Sequence, residues 1–449
     1  MTPPAPRRLA TTLLALILAG ATAGCGGPDG ATSTPGPTPA GLAAADSLVG
    51  AWVADGRVEG AVLSVRHEGR TVLSRAFGWA SSRTYGSGRY GLWREDGNRS
   101  GGPRPVDEPE AMTPATVFDL ASVTKVAATT FAVMMLVDDG TVSLDAPAST
   151  YLPDFVGGGR ESITVRHLLT HTSGLRQWVP TYYHAADPDA AWAYVRALPL
   201  GWPVGQERRY SDLGFMTLGR VVEAVTGRRL DAFLADRLYG PLGLASTGFR
   251  PRPPDAVASV RPTEESSADP ASAGPLLAAT SHGNPFEYRM VHDPEFGYRI
   301  EGDPDAWDGW RRYTLRGQVN DGNAWHAFGG VAGHAGLFSS ADDLHALLAI
   351  LLGGGEASGQ RWIAADVVRE FLTEMVSGQA LGWQVPPGAP AGSVHHTGFT
   401  GTWVLAVPAL DLSVVLLTNR QHGGVGPDDR YPDLAPLQQA VADALLGGG

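Results

Sequence analysis

The stretch Asp119-Leu120-Ala121-Ser122-Val123-Thr124-Lys125 stands at the head of a long apolar run and decides how the rest of the chain is read. In a helix, Ser122 and Lys125 are three residues apart and share one face. A serine hydroxyl becomes a good nucleophile when a neighbouring group takes its proton, and an amine within hydrogen-bond reach can do this. The N-terminal end of a helix also favours a developing alkoxide. The stretch therefore predicts a nucleophilic serine with a lysine partner.

The lysine is exceptional in this composition. The chain contains 33 arginines and one lysine, Lys125. Arginine cannot be deprotonated in a protein, whereas a buried lysine shifts its pKa readily and can act as a base. Because a plain surface cation is arginine everywhere else, the ammonium at this position indicates proton chemistry.

Length and charge limit the classes of protein. The formal net charge is -12, and no basic patch or interleaved aromatic run is present, which argues against a nucleic-acid partner. From Leu42 onward there is no second linker, internal repeat or transmembrane segment. The sequence of 449 residues therefore predicts one large catalytic domain over 42–449.

The N-terminus is typical of an export signal over residues 1–25, with Arg7 and Arg8 before an apolar stretch and then small residues. Ala21-Thr22-Ala23 fits an ordinary cleavage site. Thr22-Ala23-Gly24-Cys25 instead resembles a bacterial lipobox, whose cysteine becomes lipidated. We favour the lipobox, because Cys25 is the sole cysteine and has no other evident role.

The N-terminal residues and the cysteine count limit where the protein acts and which kinds of site it can contain. One cysteine excludes internal disulfides and a cysteine-based metal site. Residues 26–41 are rich in Gly, Pro, Ser and Thr, which predicts a flexible linker. We expect an exported, lipid-anchored protein of the cell envelope.

The pattern of apolar residues predicts the elements of the domain. The predicted helices cover 43–55, 122–137, 213–226, 228–242, 341–352, 364–376 and 434–446, and the predicted strands cover 60–67, 71–77, 402–407 and 412–418. Two stretches have little periodicity. Residues 79–113 are predicted to be a surface insertion, and residues 250–316 a binding loop or lid.

Two short segments are predicted to shape a cleft. The glycine-rich run over 329–336 would let backbone pass close to a pocket. His171 and Ser173 suggest a histidine-activated serine as an alternative to Ser122. We favour a helix end and turn there, because the short polar side chains around them are typical of turns.

Three motifs then occur in order. Ser122-Val123-Thr124-Lys125 matches Ser-x-x-Lys, Tyr210-Ser211-Asp212 stands at Tyr-x-Asn, and His396-Thr397-Gly398 stands at Lys-Thr-Gly. From about Leu42 to the C-terminus the chain resembles the serine β-lactamase and penicillin-binding-protein superfamily, in its class-C-like branch, which includes low-molecular-weight penicillin-binding proteins and related esterases. The resemblance implies an α+β fold: a mostly antiparallel sheet flanked by helices, a helical subdomain, and a cleft between them. It implies no cofactor and no metal.

The resemblance also implies roles. Ser122 would be the acylated nucleophile, and Lys125 and Tyr210 would handle its proton, with the choice of base left open. The backbone N–H groups of Ser122 and Phe399 would form the oxyanion hole, which opposes charge that exists only in the tetrahedral state. The remaining substrate contacts would come from Asp212, His396, Thr397 and Gly398.

Two positions depart from the family pattern. Asp212 replaces an asparagine; it cannot donate to a carbonyl, but it can pair with protonated Lys125 and raise the pKa of that lysine. His396 replaces a lysine that usually holds a substrate carboxylate. An unperturbed histidine, with a pKa of about 6.5, is largely neutral at neutral pH. We therefore expect better turnover of neutral esters than of carboxylate substrates, with activity on the latter rising towards about pH 6.

The favoured function is an acyl-serine hydrolase of the cell envelope. Its substrate would be a small molecule or a peptidoglycan-derived compound, with a D-alanyl peptide, a β-lactam and a neutral ester left open. The alternatives are a penicillin-binding or sensor-type lipoprotein that acylates with little turnover, and an envelope binding protein with an inactive site. An α/β-hydrolase and a zinc hydrolase are disfavoured because neither Gly-x-Ser-x-Gly nor His-Glu-x-x-His is present.

Overall fold

A computed structural model describes residues 36–86, 102–250, 274–293, 302–426 and 428–447. The predicted export signal, Cys25 and most of the predicted linker lie outside the described residues.

The described strands are β1 Gly60–His67, β2 Arg70–Thr84, β3 Arg104–Ala111, β4 Phe118–Asp119, β5 Gly248–Phe249, β6 Ala279–His282, β7 Thr314–Arg316, β8 Leu337–Ser339, β9 Glu356–Ala357, β10 Gln360–Arg361, β11 Val394–Thr397, β12 Thr402–Val407 and β13 Leu412–Thr418. The described α-helices are α1 Pro39–Ala54, α2 Phe131–Asp138, α3 Val165–Leu169, α4 Pro188–Ala197, α5 Asp212–Thr226, α6 Leu230–Leu234, α7 Gly240–Leu242, α8 Pro285–His292, α9 Ala341–Leu352, α10 Ala365–Leu372 and α11 Ala435–Leu446.

The main sheet of the described residues has six antiparallel strands in the order β11-β12-β13-β1-β2-β3. The first strand pairs with the last long strand, so Ala61 lies opposite Thr418. This long-range pairing joins residue 61 to residue 418, close to the two ends of the domain. The predicted antiparallel α+β fold is confirmed.

Both faces of this sheet are covered. Leu63 and Leu416 point into a core with α1 and α11, whereas Val62 and Val415 point into the larger core with the remaining helices. Because side chains alternate across a strand, a sheet covered on both sides needs apolar residues at consecutive positions. This explains why β12 and β13 are continuous apolar runs, buried at every residue.

The nucleophile segment follows the short strand β4. A 3₁₀ turn at Ala121–Val123 continues into a π-helical stretch at Lys125–Thr130 and then into α2. The run Ala121–Asp138 is long and apolar enough to cross a membrane, but 83% of it is buried inside the protein, so it serves as a core helix. The widened turn at Lys125–Thr130 is a type of distortion often found at functional sites.

Several predicted boundaries differ from the structure. Helix α1 begins at Pro39, inside the predicted linker, because Thr38 Oγ1 accepts the Gly41 N–H at 3.0 Å and proline is favourable at a first helical position. The helix predicted over 364–376 ends at Leu372.

The two aperiodic stretches are more structured than predicted. Within 79–113, β2 continues to Thr84 and β3 forms an exposed sheet edge, two strands that the sequence did not predict there. Residues 87–101 lie outside the described residues. Within 250–316 the described parts form β6, α8 and β7, and α8 lines a cavity beside Ser122.

Candidate active site

Lys125 and Ser122 lie together at the start of the nucleophile helix. Lys125 Nζ donates a hydrogen bond to Ser122 Oγ at 2.9 Å and another to the His334 carbonyl oxygen at 3.1 Å. Asp212 Oδ1 lies 2.7 Å from the same nitrogen. An ammonium has three N–H donors, and here three oxygen atoms surround it. The lysine side chain is fully buried, and these three oxygen atoms suit its charged form.

The charge balance supports a protonated lysine at rest. Burial alone would disfavour the ammonium, but Asp212 and then Tyr210 outweigh it, so the pKa of Lys125 lies above its ordinary value. The 2.7 Å contact and the raised pKa agree with the effect expected of an aspartate at position 212. A carboxylate at position 212 stabilises the ammonium form of Lys125. With an asparagine there, the lysine would release its proton more easily.

The backbone before Ser122 is strained and fixed in place. Ala121 has a φ of 44°, in the left-handed region that residues other than glycine rarely adopt. The Asp119 carboxylate holds this turn, because its Oδ1 accepts the Ala121 N–H at 2.9 Å and its Oδ2 accepts the Asn320 N–H at 2.6 Å. Burial raises the pKa of Asp119 to about 6. Ser122 directly follows this turn and lines two cavities.

The third motif and the residues after it are hydrogen-bonded to the backbone just before Ser122. Thr400 Oγ1 donates to the Asp119 carbonyl at 2.7 Å, and Thr402 Oγ1 donates to the Leu120 carbonyl at 2.9 Å. A Cβ at Gly398 would lie 2.3 Å from the Leu120 oxygen, so glycine is required for this close approach. The two threonines and the glycine therefore hold the end of β11 beside Ser122.

The backbone N–H groups of Ser122 and Phe399 were predicted to be the oxyanion donors. Both residues line the same two cavities. Within the described ranges neither N–H donates to another residue, so both remain available to an incoming oxygen atom.

Tyr210 and Asp212 flank Ser211, the residue that caps the N-terminus of α5. The ring of Tyr210 lies under the Lys125 ammonium, 4.8 Å from its centroid. Burial raises the pKa of Tyr210, and its contacts with Lys125 and Ser122 oppose that rise only in part. The phenol is thus neutral at rest and near both partners.

His171 fixes this loop, a role that the sequence did not reveal. Its carbonyl oxygen accepts the Arg209 N–H at 2.8 Å, and its Nδ1 accepts the Ser211 N–H at 3.0 Å. Its ring packs on the Tyr210 ring with centroids 4.6 Å apart. His171 therefore holds the residues on both sides of Tyr210. Ser173 Oγ instead accepts the Leu175 N–H, which disfavours the histidine-activated serine.

His396 is buried, and its tautomer is fixed. Nδ1 donates to the Thr397 carbonyl oxygen at 2.8 Å, because a carbonyl can only accept. Burial, followed by the nearby Lys125 charge, lowers the pKa of His396 to about 3. The prediction that this residue gains charge towards pH 6 is therefore wrong, because the depth of its burial is not visible in the sequence.

Two cavities meet at Ser122, Tyr210 and Phe399. The first, of about 240 Å³, has Trp178, Phe286 and Met290 on its walls and three carboxyl groups, Asp212, Glu287 and Asp321. The second, of about 360 Å³, contains Arg420 and continues along a polar wall that includes Gln384, Thr397, Asp433 and Gln438.

The carboxyl groups of the first cavity differ in protonation. Burial, and the neighbouring Asp321, raise the pKa of Glu287 to about 8, so Glu287 is protonated at neutral pH. Burial would also raise the pKa of Asp321. His334, whose Nε2 lies 3.0 Å from Asp321 Oδ1, outweighs this effect and holds the pKa of Asp321 below its ordinary value. Sequence motifs pointed to neither Glu287 nor Asp321. Among the described residues, no group of three or more His, Cys, Asp or Glu side chains is placed to hold a metal ion.

The comparisons with known proteins agree with this geometry. The sequence matches the profile of the Beta-lactamase family over residues 45–438. The chain belongs to the β-lactamase family. It is 30% identical over 84% of its length to an N-acetylmuramyl-L-alanine amidase of Bacillus subtilis, 80% of which is covered, and 28% identical over 73% of its length to a putative D-alanyl-D-alanine carboxypeptidase of Escherichia coli, 75% of which is covered.

A solved structure confirms the fold. A penicillin-binding-protein homologue from Caulobacter crescentus superimposes with a TM-score of 0.59 at 19% identity, covering 91% of this chain and 98% of that one. The resemblance predicted from the three motifs is confirmed. This member of the β-lactamase family is an enzyme, a serine hydrolase that acts on esters or amides, and the alternative of a sensor with little turnover is not favoured.

Proposed function

We propose that Ser122 attacks the carbonyl carbon of an ester or amide and forms an acyl-enzyme that water then hydrolyses. The observation that carries this proposal is the 2.9 Å hydrogen bond between Lys125 and Ser122, on a lysine that is fully buried and ion-paired. The N–H groups of Ser122 and Phe399 would stabilise the negative oxygen of the tetrahedral intermediate.

The proton of Ser122 needs an acceptor. At rest Lys125 is charged and Tyr210 is neutral, so neither can accept it without first giving up a proton. Asp212 is a carboxylate 2.7 Å from Lys125 Nζ. We infer that Lys125 passes a proton to Asp212 and then takes the proton of Ser122, either directly or through Tyr210, which gives its own phenolic proton to Lys125 as it accepts the proton of Ser122. The reverse transfer then protonates the leaving group, which balances the protons of the acylation step.

The cell envelope is the proposed place of action. The family relatives include proteins named as an N-acetylmuramyl-L-alanine amidase and a D-alanyl-D-alanine carboxypeptidase, and both names point to peptidoglycan-derived substrates. The export signal over 1–25 and the lipidated Cys25 would place the domain there. Cys25→Ser should release the protein from membranes, and unchanged fractionation would favour cleavage after Ala23.

The nucleophile is tested with two serine variants. Ser122→Ala should lose both fluorophosphonate labelling and turnover of a chromogenic ester, because Ser122 is the serine whose hydroxyl accepts the hydrogen bond of Lys125. Ser173→Ala is the matched control, since it removes the hydroxyl of the alternative serine, and it should keep both. Turnover retained by Ser122→Ala, or lost only in Ser173→Ala, would overturn the assignment.

A further inference from the structure

The second proposed oxyanion donor, the Phe399 N–H, lies in a tight turn over residues 398–401. The turn is closed by the Gly401 N–H, which donates to the Gly398 carbonyl oxygen at 2.9 Å. That carbonyl and the Phe399 N–H belong to one planar peptide unit, in which they point in opposite directions. The conformation of the turn therefore sets the direction of the Phe399 N–H.

A buried glutamine holds the central peptide of this turn. Gln421 Nε2 donates to the Phe399 carbonyl oxygen at 3.0 Å, and Gln421 is only 1% exposed. The central peptide of a four-residue turn can rotate from one turn type to another while the end residues stay in place. Because the Phe399 carbonyl belongs to this central peptide, rotation would break its bond to Gln421. The glutamine therefore favours one form of the turn.

The segment that carries Gln421 is itself fixed to the main sheet. Before it, Asn419 Nδ2 donates to the Trp79 carbonyl oxygen at 3.0 Å. After it, His422 Nε2 accepts the Ser82 N–H at 2.9 Å. Trp79 and Ser82 are both in β2, so strand contacts on both sides of Gln421 give its side chain a rigid base.

The other contacts of the turn do not replace this hydrogen bond. Thr400 and Thr402 bond to the backbone before Ser122 and so hold the turn beside the nucleophile. Neither threonine side chain bonds to the Phe399 carbonyl. Among the described residues, Gln421 supplies the hydrogen bond that this carbonyl accepts.

We propose that Gln421 is a positioning residue for the oxyanion hole, which holds the 398–401 turn in the form that directs the Phe399 N–H towards the reacting oxygen atom. This inference rests on the proposed acyl-enzyme at Ser122 and adds a residue outside the three sequence motifs. An oxyanion donor acts mainly when negative charge develops on the substrate oxygen. Loss of Gln421 should therefore slow the chemical step more than it weakens substrate binding.

The first test is Gln421→Leu, which keeps a side chain of similar size but removes the donor. In single-turnover kinetics with a chromogenic ester, the acylation rate should fall about 20-fold, less than when an oxyanion donor is removed outright. The dissociation constant of the ester should change less than about threefold. The inhibition constant of a boronic acid, which forms a tetrahedral adduct on a serine, should rise as far as the acylation rate falls. The exposed control Gln439→Leu should leave all three values unchanged.

Gln421→Glu separates the hydrogen bond from packing. Its carboxylate cannot donate to the Phe399 carbonyl, whereas its protonated carboxyl can. The ratio of its kcat/KM to that of the wild type should therefore rise at least about fivefold as the pH falls from about 8 to about 5, because burial raises the pKa of the new carboxyl. The same charged or titratable neighbours are present in both proteins, so the ratio isolates the new group; they are Glu59, Arg420, His422 and Asp433.

Two results would overturn this proposal. An unchanged acylation rate in Gln421→Leu would mean that the Phe399 N–H needs no support from the glutamine. A ratio that stays constant with pH in Gln421→Glu would mean that the residue acts by packing alone, and this result decides the question if Gln421→Leu does not fold. A failure of the acyl-enzyme proposal is distinguishable, because Ser122→Ala would then still turn over the ester.

Discussion

The two cavities that meet at Ser122 differ in their walls and in their charged groups. The first carries Asp212, Glu287 and Asp321 between apolar walls. Glu287 is protonated at neutral pH and Asp212 is paired with Lys125, so these acidic residues do not add three negative charges to the cavity. The second carries Arg420 and Asp433 along a polar wall. The two sides of a substrate would therefore meet an apolar, acid-lined space on one side of the nucleophile and a polar space with both charges on the other.

The comparison also separates catalysis from recognition. Lys125, Tyr210 and Asp212 surround the Ser122 hydroxyl, which both cavities share. Changes at these residues should therefore act equally on a D-alanyl peptide with a free carboxylate and on its C-terminal amide. Changes in the lining of one cavity should alter the ratio of kcat/KM for these two substrates.

The largest effect is expected at Lys125. Lys125→Arg keeps the charge but cannot release a proton, so kcat/KM should fall about 1,000-fold, or roughly 4 kcal/mol in the barrier. The loss in kcat/KM should be equal for the peptide with a free carboxylate and for its C-terminal amide. Steady-state kinetics on both will check this, and a loss below about tenfold would remove the proton-transfer role.

Asp212→Asn should have the next largest effect. The amide keeps the shape of the side chain but cannot store a proton, so we expect a fall of about 100-fold at pH 7 for both substrates. Without Asp212 the pKa of Lys125 drops, because its main counter-charge is gone. Activity should therefore recover as the pH rises and Lys125 loses its proton to water. A pH profile of kcat/KM that keeps the wild-type shape would contradict this proton path.

His171 should act through Tyr210. His171→Ala removes the acceptor for the Ser211 N–H, and we expect kcat to fall about 30-fold through misplacement of Tyr210. His171→Asn supplies a side-chain acceptor and tolerates the left-handed backbone there, where φ is 58°, so it should stay within about threefold of wild type. Equal losses in both variants would show that the ring packing, and not the hydrogen bond, positions Tyr210.

The smallest effect concerns stability and the first cavity. The pKa of Glu287 is raised from 4.5 to about 8, so the folded state binds a proton that the unfolded state releases, and stability falls as the pH rises between those values. Glu287→Gln has no carboxyl proton to release, so it lacks this loss of stability. The difference in Tm between Glu287→Gln and the wild type should therefore increase by about 1–3 °C from pH 5 to pH 8. The exposed control Glu108→Gln should show no such trend. A constant difference in Tm would mean that Glu287 is charged throughout.

The sequence predicted the central elements well where burial leaves a local pattern. Strands β12 and β13 and helix α9 have the predicted bounds, because continuous apolar runs or helical periodicity end at clear turn residues. β3 was missed because an exposed edge strand with two prolines has neither apolar alternation nor strand propensity. The three motifs predicted Ser122, Lys125 and Tyr210 as neighbours, since each lies at an element end that the fold brings together.

The rest of the site depends on long-range packing. The burial of His396 depends on how deeply β11 lies behind Tyr210, and spacing along the chain carries no such information. Arg420 follows a strand without any motif, and the chain has 32 other arginines from which the sequence cannot distinguish it. Glu287 comes from a stretch predicted only as a loop. These residues become visible as site residues only when the cavities are known.

The most direct test of the acyl-enzyme account is a crystal structure with a phosphonate analogue of a D-alanyl peptide bound to the enzyme. We predict a covalent bond to Ser122 Oγ and a phosphonate oxygen within hydrogen-bond distance of the N–H groups of Ser122 and Phe399. A phosphonate oxygen that contacts neither N–H group, or an adduct on any other residue, would contradict the account.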